Sequence, residues 1–105
     1  MKIIRNKYIP FKGFRAINLF GILFVRGDAR IGERTLRHEA IHTAQMKEML
    51  YIGFYIWYII EWLIRLFMKG NAYRNISFEI EAYSNEKDLS YLDNRKKFAW
   101  IKYIK

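Results

Sequence analysis

A chain of 105 residues has room for one domain with a modest core and not for two. Hydrophobic residues make up 52% of the sequence and aromatic residues 18%, a composition that excludes a disordered or fibrous protein. There is no cysteine, so disulfide bonds and thiolate metal sites are excluded, and any metal ion must be held by His, Asp or Glu. We therefore expect a single domain over residues 1–105.

The formal net charge of +9 predicts that the surface attracts polyanions, which include acidic lipid headgroups, nucleic acid and acidic proteins. Nucleic acid is the least favoured of the three, because the cations are scattered and no recognition motif accompanies them. Residues 1–11 carry positive charge but no apolar run of signal-peptide length. We expect no cleaved secretion signal and a cytoplasmic protein, with attachment to the inner face of a membrane as the alternative.

The first quarter of the chain has the composition of β-strands. Residues 2–9 form a short mixed segment that ends at Pro10, and residues 16–25 are rich in branched and aromatic side chains. Gly21 in the middle of the second segment indicates a bulge or a tight reversal, and residues 26–32 contain the turn-forming residues of a loop. Two or three antiparallel strands are the simplest prediction.

Residues 35–50 have a helical apolar pattern, with Thr35 as the expected N-cap and Gly53 as the expected break or bend. This segment holds both histidines of the chain, His38 and His42. Four residues apart on a helix, their imidazoles lie about 40° apart around the axis, so both can reach one ion. The segment is therefore a candidate metal-binding helix.

Glu39 follows the first histidine directly, and on a helix it lies roughly 60° to the side of His42, near a water on the metal but outside the ligand set. His-Glu-x-x-His is the pattern of the zinc-peptidase helix, in which the glutamate is the general base. Shuffling would produce this pattern about once in a thousand trials. The alternative is a surface helix with two histidines and a solvated Glu39. Gln45 could orient a histidine or a water, although an exposed glutamine is commoner.

Residues 49–68 form a long apolar segment whose only charged residues are Glu61 and Arg65. At about 1.5 Å per residue, a helix of this length could cross the hydrocarbon core of a bilayer. The helix would have two different faces, however. One carries Tyr51, Tyr55, Tyr58, Trp62, Arg65 and Lys69, and the other carries Ile52, Ile56, Ile59, Leu63 and Leu66. A spanning helix, a core helix and a helix in the membrane surface are the three alternatives.

After a turn at residues 69–71, a further helix is predicted over residues 74–89, and it offers Glu79 and Glu81 as a third metal ligand. The two carboxylates point to nearly opposite sides of a helix, so they cannot both face one ion. Glu79 is favoured because Ala82 on its face allows a close approach to the motif helix. For each glutamate taken alone, a solvated surface carboxylate is the commoner situation.

The tail, residues 94–105, interleaves cations with aromatic residues. We expect its apolar side chains to close the core while its cations face outward; the former are Phe98, Trp100, Ile101 and Ile104. A basic face of this kind also suits anionic lipid or single-stranded nucleic acid.

With His-Glu-Ala-Ile-His at residues 38–42 and Phe-Glu-Ile-Glu-Ala-Tyr at residues 78–83, the chain resembles the gluzincin metallopeptidases, and in size the minimal forms called minigluzincins. The resemblance implies a zincin-like α+β fold, with a small antiparallel sheet of two or three strands followed by three or four helices. It also implies an edge strand above the metal that pairs with an extended peptide, expected here within residues 19–25. Tyr83 stands where the family usually has Asp, so the partner of a ligand histidine is left unassigned.

The resemblance further implies the chemistry of the site. Zn²⁺ would be held by His38, His42 and Glu79, with Glu81 as the competing third ligand. Glu39 would take a proton from the attacking water and deliver it to the leaving amine of a peptide or protein substrate. No oxyanion stabiliser is fixed by spacing, and the candidate donors are Tyr73, Arg74 and Tyr83. The alternative function is a non-catalytic basic module that binds a membrane surface or a protein and retains the peptidase fold.

Overall fold

The computed structural model describes residues 2–10 and 13–104. Three strands come first: β1 (Lys2–Asn6), β2 (Ala16–Leu19) and β3 (Ile22–Arg26). Four α-helices follow, with a 3₁₀ helix at Ala99–Tyr103 after them: α1 (Glu33–Glu48), α2 (Ile52–Leu66), α3 (Ser77–Asn85) and α4 (Tyr91–Asn94). The predicted α+β class, a small N-terminal sheet followed by helices, is confirmed.

The sheet is mixed rather than purely antiparallel. Its order is β1-β3-β2, with β3 antiparallel to β2 and parallel to β1. Gly21, with a φ of 85°, makes the tight reversal between β2 and β3 that its position predicted. The parallel pairing was missed because it joins segments that are distant in sequence and leaves no local pattern. Leu23 and Val25 of the central strand are fully buried.

The motif helix begins earlier than predicted. Its N-cap is Gly32, and Thr35 lies exposed in the first turn, where the acidic side chain of Glu33 suits the positive end of the helix. The break after α1 lies at Leu50 and Tyr51, which have φ values of 53° and 61°. Gly53, where the break was expected, lies inside α2.

The apolar segment of residues 49–68 becomes the 15-residue helix α2 and its flanks. Among the described residues, no single helix is long and apolar enough to span a membrane. The helices α1 and α2 pass that test only as a pair, and they are bent by 109° at the break between them. Both charged residues of α2, Glu61 and Arg65, are buried, and Glu61 accepts hydrogen bonds from the backbone and hydroxyl of Ser77.

The core lies where α2, α3 and the C-terminal 3₁₀ helix meet, and it is largely aromatic. Phe54 stacks on Phe78 with ring centroids 4.5 Å apart, and Trp100 packs edge-on against Phe78 at 4.7 Å. Met46 of α1 and Ile76 complete the buried cluster. Of the four tail residues expected in the core, Trp100 is buried; the other three are exposed: Phe98, Ile101 and Ile104. A short 3₁₀ helix presents one side inward, so it buries only one of them.

Candidate metal centre

Two helices bring three buried, metal-binding side chains together. His38 and His42 lie one turn apart on α1, and Glu79 lies in the first turn of α3. The two Nε2 atoms are 3.1 Å apart, and Glu79 Oε1 lies 3.2 Å from the first and 3.0 Å from the second. The ligand atoms all lie within 4.8 Å of one another, so these side chains are close enough to hold one metal ion.

The other ring nitrogen of each histidine lies against an oxygen acceptor. His38 Nδ1 is 2.9 Å from Glu86 Oε2, and His42 Nδ1 is 2.8 Å from Gln45 Oε1. A carboxylate oxygen and an amide oxygen accept hydrogen bonds, so each Nδ1 carries a proton and donates it. Each Nε2 therefore faces the space that it shares with Glu79, where its lone pair can bind a proton or a metal ion.

The orientation of the Gln45 amide follows from its other contacts. Gln45 Nε2 donates to the backbone oxygen of Phe78 at 3.1 Å and to Glu81 Oε1 at 2.9 Å. Since both partners are acceptors, the amide nitrogen faces them and the amide oxygen faces His42. Gln45 is fully buried, so it is the histidine-orienting residue and not the exposed glutamine that was the commoner expectation.

Three lone pairs that converge in a buried site require a cation between them. Burial by itself lowers the pKa of His42, but the Glu79 carboxylate beside it raises that pKa to about 9. Burial also works against a charge on Glu79, yet His42, with hydrogen bonds from His38, His42 and Tyr58, holds the pKa of Glu79 well below its usual range. In the absence of a metal, a proton on His42 meets this requirement. A metal ion would meet it through all three ligands at once, so the residues fit a metal.

The second oxygen of Glu79 is fixed by a residue of α2. Tyr58 Oη donates to Glu79 Oε2 at 2.8 Å. Burial and the neighbouring Glu79 carboxylate raise the pKa of Tyr58, so the phenol keeps the proton that it donates. The sequence pattern puts Tyr58 on the aromatic face of its helix, but it gives no indication that Tyr58 contacts the site.

Glu81, the competing third ligand, lies in a different network. Its buried carboxylate is 2.5 Å from Arg95 Nε and accepts a hydrogen bond from Tyr91 Oη at 2.7 Å. Burial works to raise the pKa of Glu81, but Arg95, Gln45 and Tyr91 bind the charged form and lower it. Arg95 also pairs with Glu48 at the end of α1. The structure thus brings Glu79 to the histidines and places Glu81 on the opposite side of α3, as helical geometry predicts.

Glu39 lies beside the histidines at the border of two hollows. The larger is a cavity of about 280 Å³, in which Glu39, His42 and Glu79 line one part of the wall. The rest of the wall is mainly apolar; it includes Ile17, Leu19, Met46, Phe54 and Tyr55. The smaller hollow, about 170 Å³, lies on the other side and is lined by His38, Glu39 and Glu86, among others. Glu39 thus lines the cavity together with His42 and Glu79, and it lines the smaller hollow together with His38.

The strand beside the cavity is β2, which is an edge strand of the sheet. The expectation that the edge strand lies within residues 19–25 is wrong apart from Leu19, because the rest of that range contains the turn and the central strand β3. Asn18 holds β2 against the motif helix: its amide donates to the backbone oxygen of Glu39 at 3.0 Å and to Thr43 Oγ1 at 3.1 Å. These two hydrogen bonds fix the position of β2 along the motif helix next to Glu39.

The three candidate oxyanion donors cluster on the His38 side. The ring of Tyr83 packs edge-on against that of His38 with centroids 4.5 Å apart, and its hydroxyl is 3.1 Å from that of Tyr73. The Arg74 guanidinium lies 3.8 Å over the centroid of the Tyr83 ring. Tyr73 and Tyr83 line the smaller hollow and not the larger cavity.

Glu86, the partner of His38, was not among the predicted site residues. Its position could have been inferred, because Glu86 follows Glu79 by seven residues and so returns to the same side of a helix. Glu86 is thus the partner of a ligand histidine that the sequence left unassigned.

Comparison of the chain with known protein families, with curated proteins and with solved structures found no match.

Proposed function

We propose that this protein is a zinc-dependent metallopeptidase of the gluzincin type, with His38, His42 and Glu79 as ligands and Glu39 as the general base. The observation that carries the proposal is the convergence of three buried ligand atoms beside a glutamate that borders a cavity. Two imidazoles and one carboxylate form the ligand set of catalytic zinc sites, which keep a further position open. A zinc ion held here would supply Lewis acidity to a carbonyl and acidity to a water.

The position of Glu39 supports a role as general base. It is only partly buried and lines both hollows beside the ligand cluster, so it would be near a water that lies between the cluster and a substrate carbonyl. It would accept the proton of that water as the water attacks, and then deliver it to the leaving amine. The imidazole rings of His38 and His42 are held by hydrogen bonds to Glu86 and Gln45, which keep both rings in the orientation that metal binding needs.

The edge strand β2 suits the binding of an extended peptide. Within the described sheet, β3 lies on one side of β2 and no strand lies on the other. A substrate backbone that added to this edge would pair with it by main-chain hydrogen bonds and run along the cavity that β2 lines. The mainly apolar wall of the cavity, with Met46 and Phe54, would receive a hydrophobic side chain.

The test combines metal analysis with peptide cleavage. We expect about one zinc per chain, lost in the His42→Ala variant. Glu39→Gln should keep the zinc and lose about 10²-fold or more of the cleavage rate, because it removes only the base. Glu33→Gln is the matched control, since Glu33 lies exposed on the same helix and should keep both properties.

Three results would contradict parts of the proposal. Failure of the wild-type chain to bind zinc would overturn it as a whole. Equal cleavage by wild type and Glu39→Gln would remove Glu39 as the base. Stoichiometric zinc without cleavage of a broad peptide library would favour the alternative, a metal-binding module that is not an enzyme.

A further inference from the structure

The burial pattern of helix α2 differs from that of an ordinary amphipathic helix in a soluble domain. Its charged residues Glu61 and Arg65 are buried, and Phe54 packs into the core beside them. All of its aliphatic residues are exposed, by fractions between 40% and 67%. Five of them share one stripe, which we call the outer face of α2: Ile52, Ile56, Ile59, Leu63 and Leu66. A surface helix normally shows the reverse pattern. A continuous apolar stripe of this length on a protein surface marks a site that contacts another apolar phase or molecule.

The apolar stripe continues past both ends of the helix. Leu50, before α2, is 82% exposed, and Phe67, after it, is 91% exposed. Trp62 lies at the margin of the stripe and is 40% exposed, which is the position an amphipathic ring takes at a boundary between water and lipid. The outer face thus has an apolar centre with an aromatic residue at its edge.

In the stretch of sequence around α2, the exposed charges are of one sign. Between residues 34 and 87 every acidic side chain is at least partly buried, whereas Lys47, Lys69 and Arg74 are exposed. Over the described chain, thirteen Lys and Arg side chains are exposed against four Asp and Glu side chains. The metal-binding cluster and the Arg95 network bury acidic groups, so the exposed side chains of the described residues are predominantly basic.

We propose that the outer face of α2 docks on an anionic lipid bilayer, with the helix lying in the interface. An exposed apolar stripe on a predominantly basic surface is the pattern of helices that insert between anionic headgroups and acyl chains. A 15-residue helix is about 22 Å long, less than the roughly 30 Å of the hydrocarbon core, which favours a lying helix. A second copy of this chain is the poorer occupant, because two copies of net charge +9 repel each other.

The inference does not depend on the metal site. The outer face points away from Phe54 and Tyr58, which together with Tyr55 are the side chains of α2 that line the cavity. Loss of membrane binding and loss of metal binding can therefore be produced by different substitutions.

The first test is vesicle flotation. Wild type should float with phosphatidylcholine vesicles that contain phosphatidylglycerol, and bind pure phosphatidylcholine more weakly. Replacing two residues of the outer face, Ile59→Glu and Leu63→Glu together, should weaken partitioning at least tenfold, by an order-of-magnitude estimate from the apolar area lost. The matched control is Phe14→Glu with Leu89→Glu, which adds the same charge at exposed apolar sites outside α2 and should change partitioning only about twofold.

The second test needs no variant of the stripe. Vesicles with brominated acyl chains should quench the tryptophan fluorescence of bound wild type, and this quenching should be lost in Trp62→Phe, because Trp57 and Trp100 face the core. Absence of wild-type binding to anionic vesicles, or equal binding by the Ile59→Glu, Leu63→Glu variant, would overturn the proposal. So would binding without quenching, which indicates adsorption by charge alone. If wild type does not float with vesicles but forms a concentration-dependent dimer that the double variant abolishes, the outer face binds a second copy of the chain instead.

Discussion

Arg95 should be among the most important side chains for stability, although it lies far from the metal-binding cluster in sequence. Its guanidinium lies between two buried carboxylates, Glu81 and Glu48, whose side chains are 0% and 8% exposed. In Arg95→Met both carboxylates lose their counter-charge in a water-poor environment. Removing one partner of a buried ion pair typically costs about 3–5 kcal/mol.

The remaining contacts place the expected loss at the lower end of that range. After the substitution, Glu81 still accepts hydrogen bonds from Gln45 and Tyr91, and Glu48 still accepts one from the backbone of Phe98. We therefore expect a loss of about 3 kcal/mol in the free energy of unfolding, a large part of the roughly 5–15 kcal/mol of a small domain.

Urea unfolding followed by tryptophan fluorescence measures this loss, since Trp100 lies in the core. The midpoint should fall by about 1 M or more. Lys96→Met is the control, because it removes the same charge from an exposed neighbour and should change the free energy of unfolding by less than about 0.5 kcal/mol. Glu81→Gln in the Arg95→Met background should restore part of the loss, because it removes one stranded charge. A loss under about 1 kcal/mol in Arg95→Met would refute the reasoning.

Four further predictions concern the site and its support. Gln45→Met removes the acceptor of His42 Nδ1 and should weaken metal binding about 10–100-fold by competition with a chelator; unchanged affinity would show that the amide does not hold the ring. Tyr58→Phe removes the hydrogen-bond donor to Glu79 and should weaken metal binding about tenfold, with Tyr55→Phe on the same helix as the control. Acidification should lower the free energy of unfolding, because the folded-state pKa of Glu81 is depressed: its contribution is complete above the unfolded pKa and is lost as pH falls through the folded one. Between neutral pH and about pH 3, the free energy of unfolding should fall less in Glu81→Gln than in wild type. An equal fall would show that Glu81 does not cause this pH dependence. Phe78→Ala should cost about 3–5 kcal/mol in the urea titration, since the ring is fully buried against two other aromatic rings; a cost under about 1 kcal/mol would mean that the core collapses around it.

The histidines and Glu79 could be found from the sequence because helical periodicity is local. The spacing of His38 and His42 fixes their relative direction once the helix exists, and the choice of Glu79 followed from the side of α3 that it shares with Ala82, which is fully buried. The partners of these side chains could not be found in the same way. Gln45 turns toward His42 because an acceptor on another helix binds its amide nitrogen, and that depends on how the helices pack.

Two features of the fold lay beyond local patterns for a different reason. The pairing of β1 with β3 rather than with β2 depends on the path of the chain between them, which no periodicity records. The two faces of α2 were visible in the sequence, but which of them turns inward was not. The inward face is the polar one because Ser77 satisfies Glu61, a contact between groups that are sixteen residues apart.

The side-chain amide of Gln45 connects the ring of His42 with the C-terminal segment of the chain. One end of the amide holds the ring of His42, and the other holds Glu81, which in turn holds Arg95 of the C-terminal segment. Because linkage is reciprocal, any free energy with which an ordered C-terminal segment strengthens metal binding must reappear as protection of that segment by the metal. Amide hydrogen exchange in residues 91–103 would then report on events at the histidines, with no ligand of the metal among the exchanging groups.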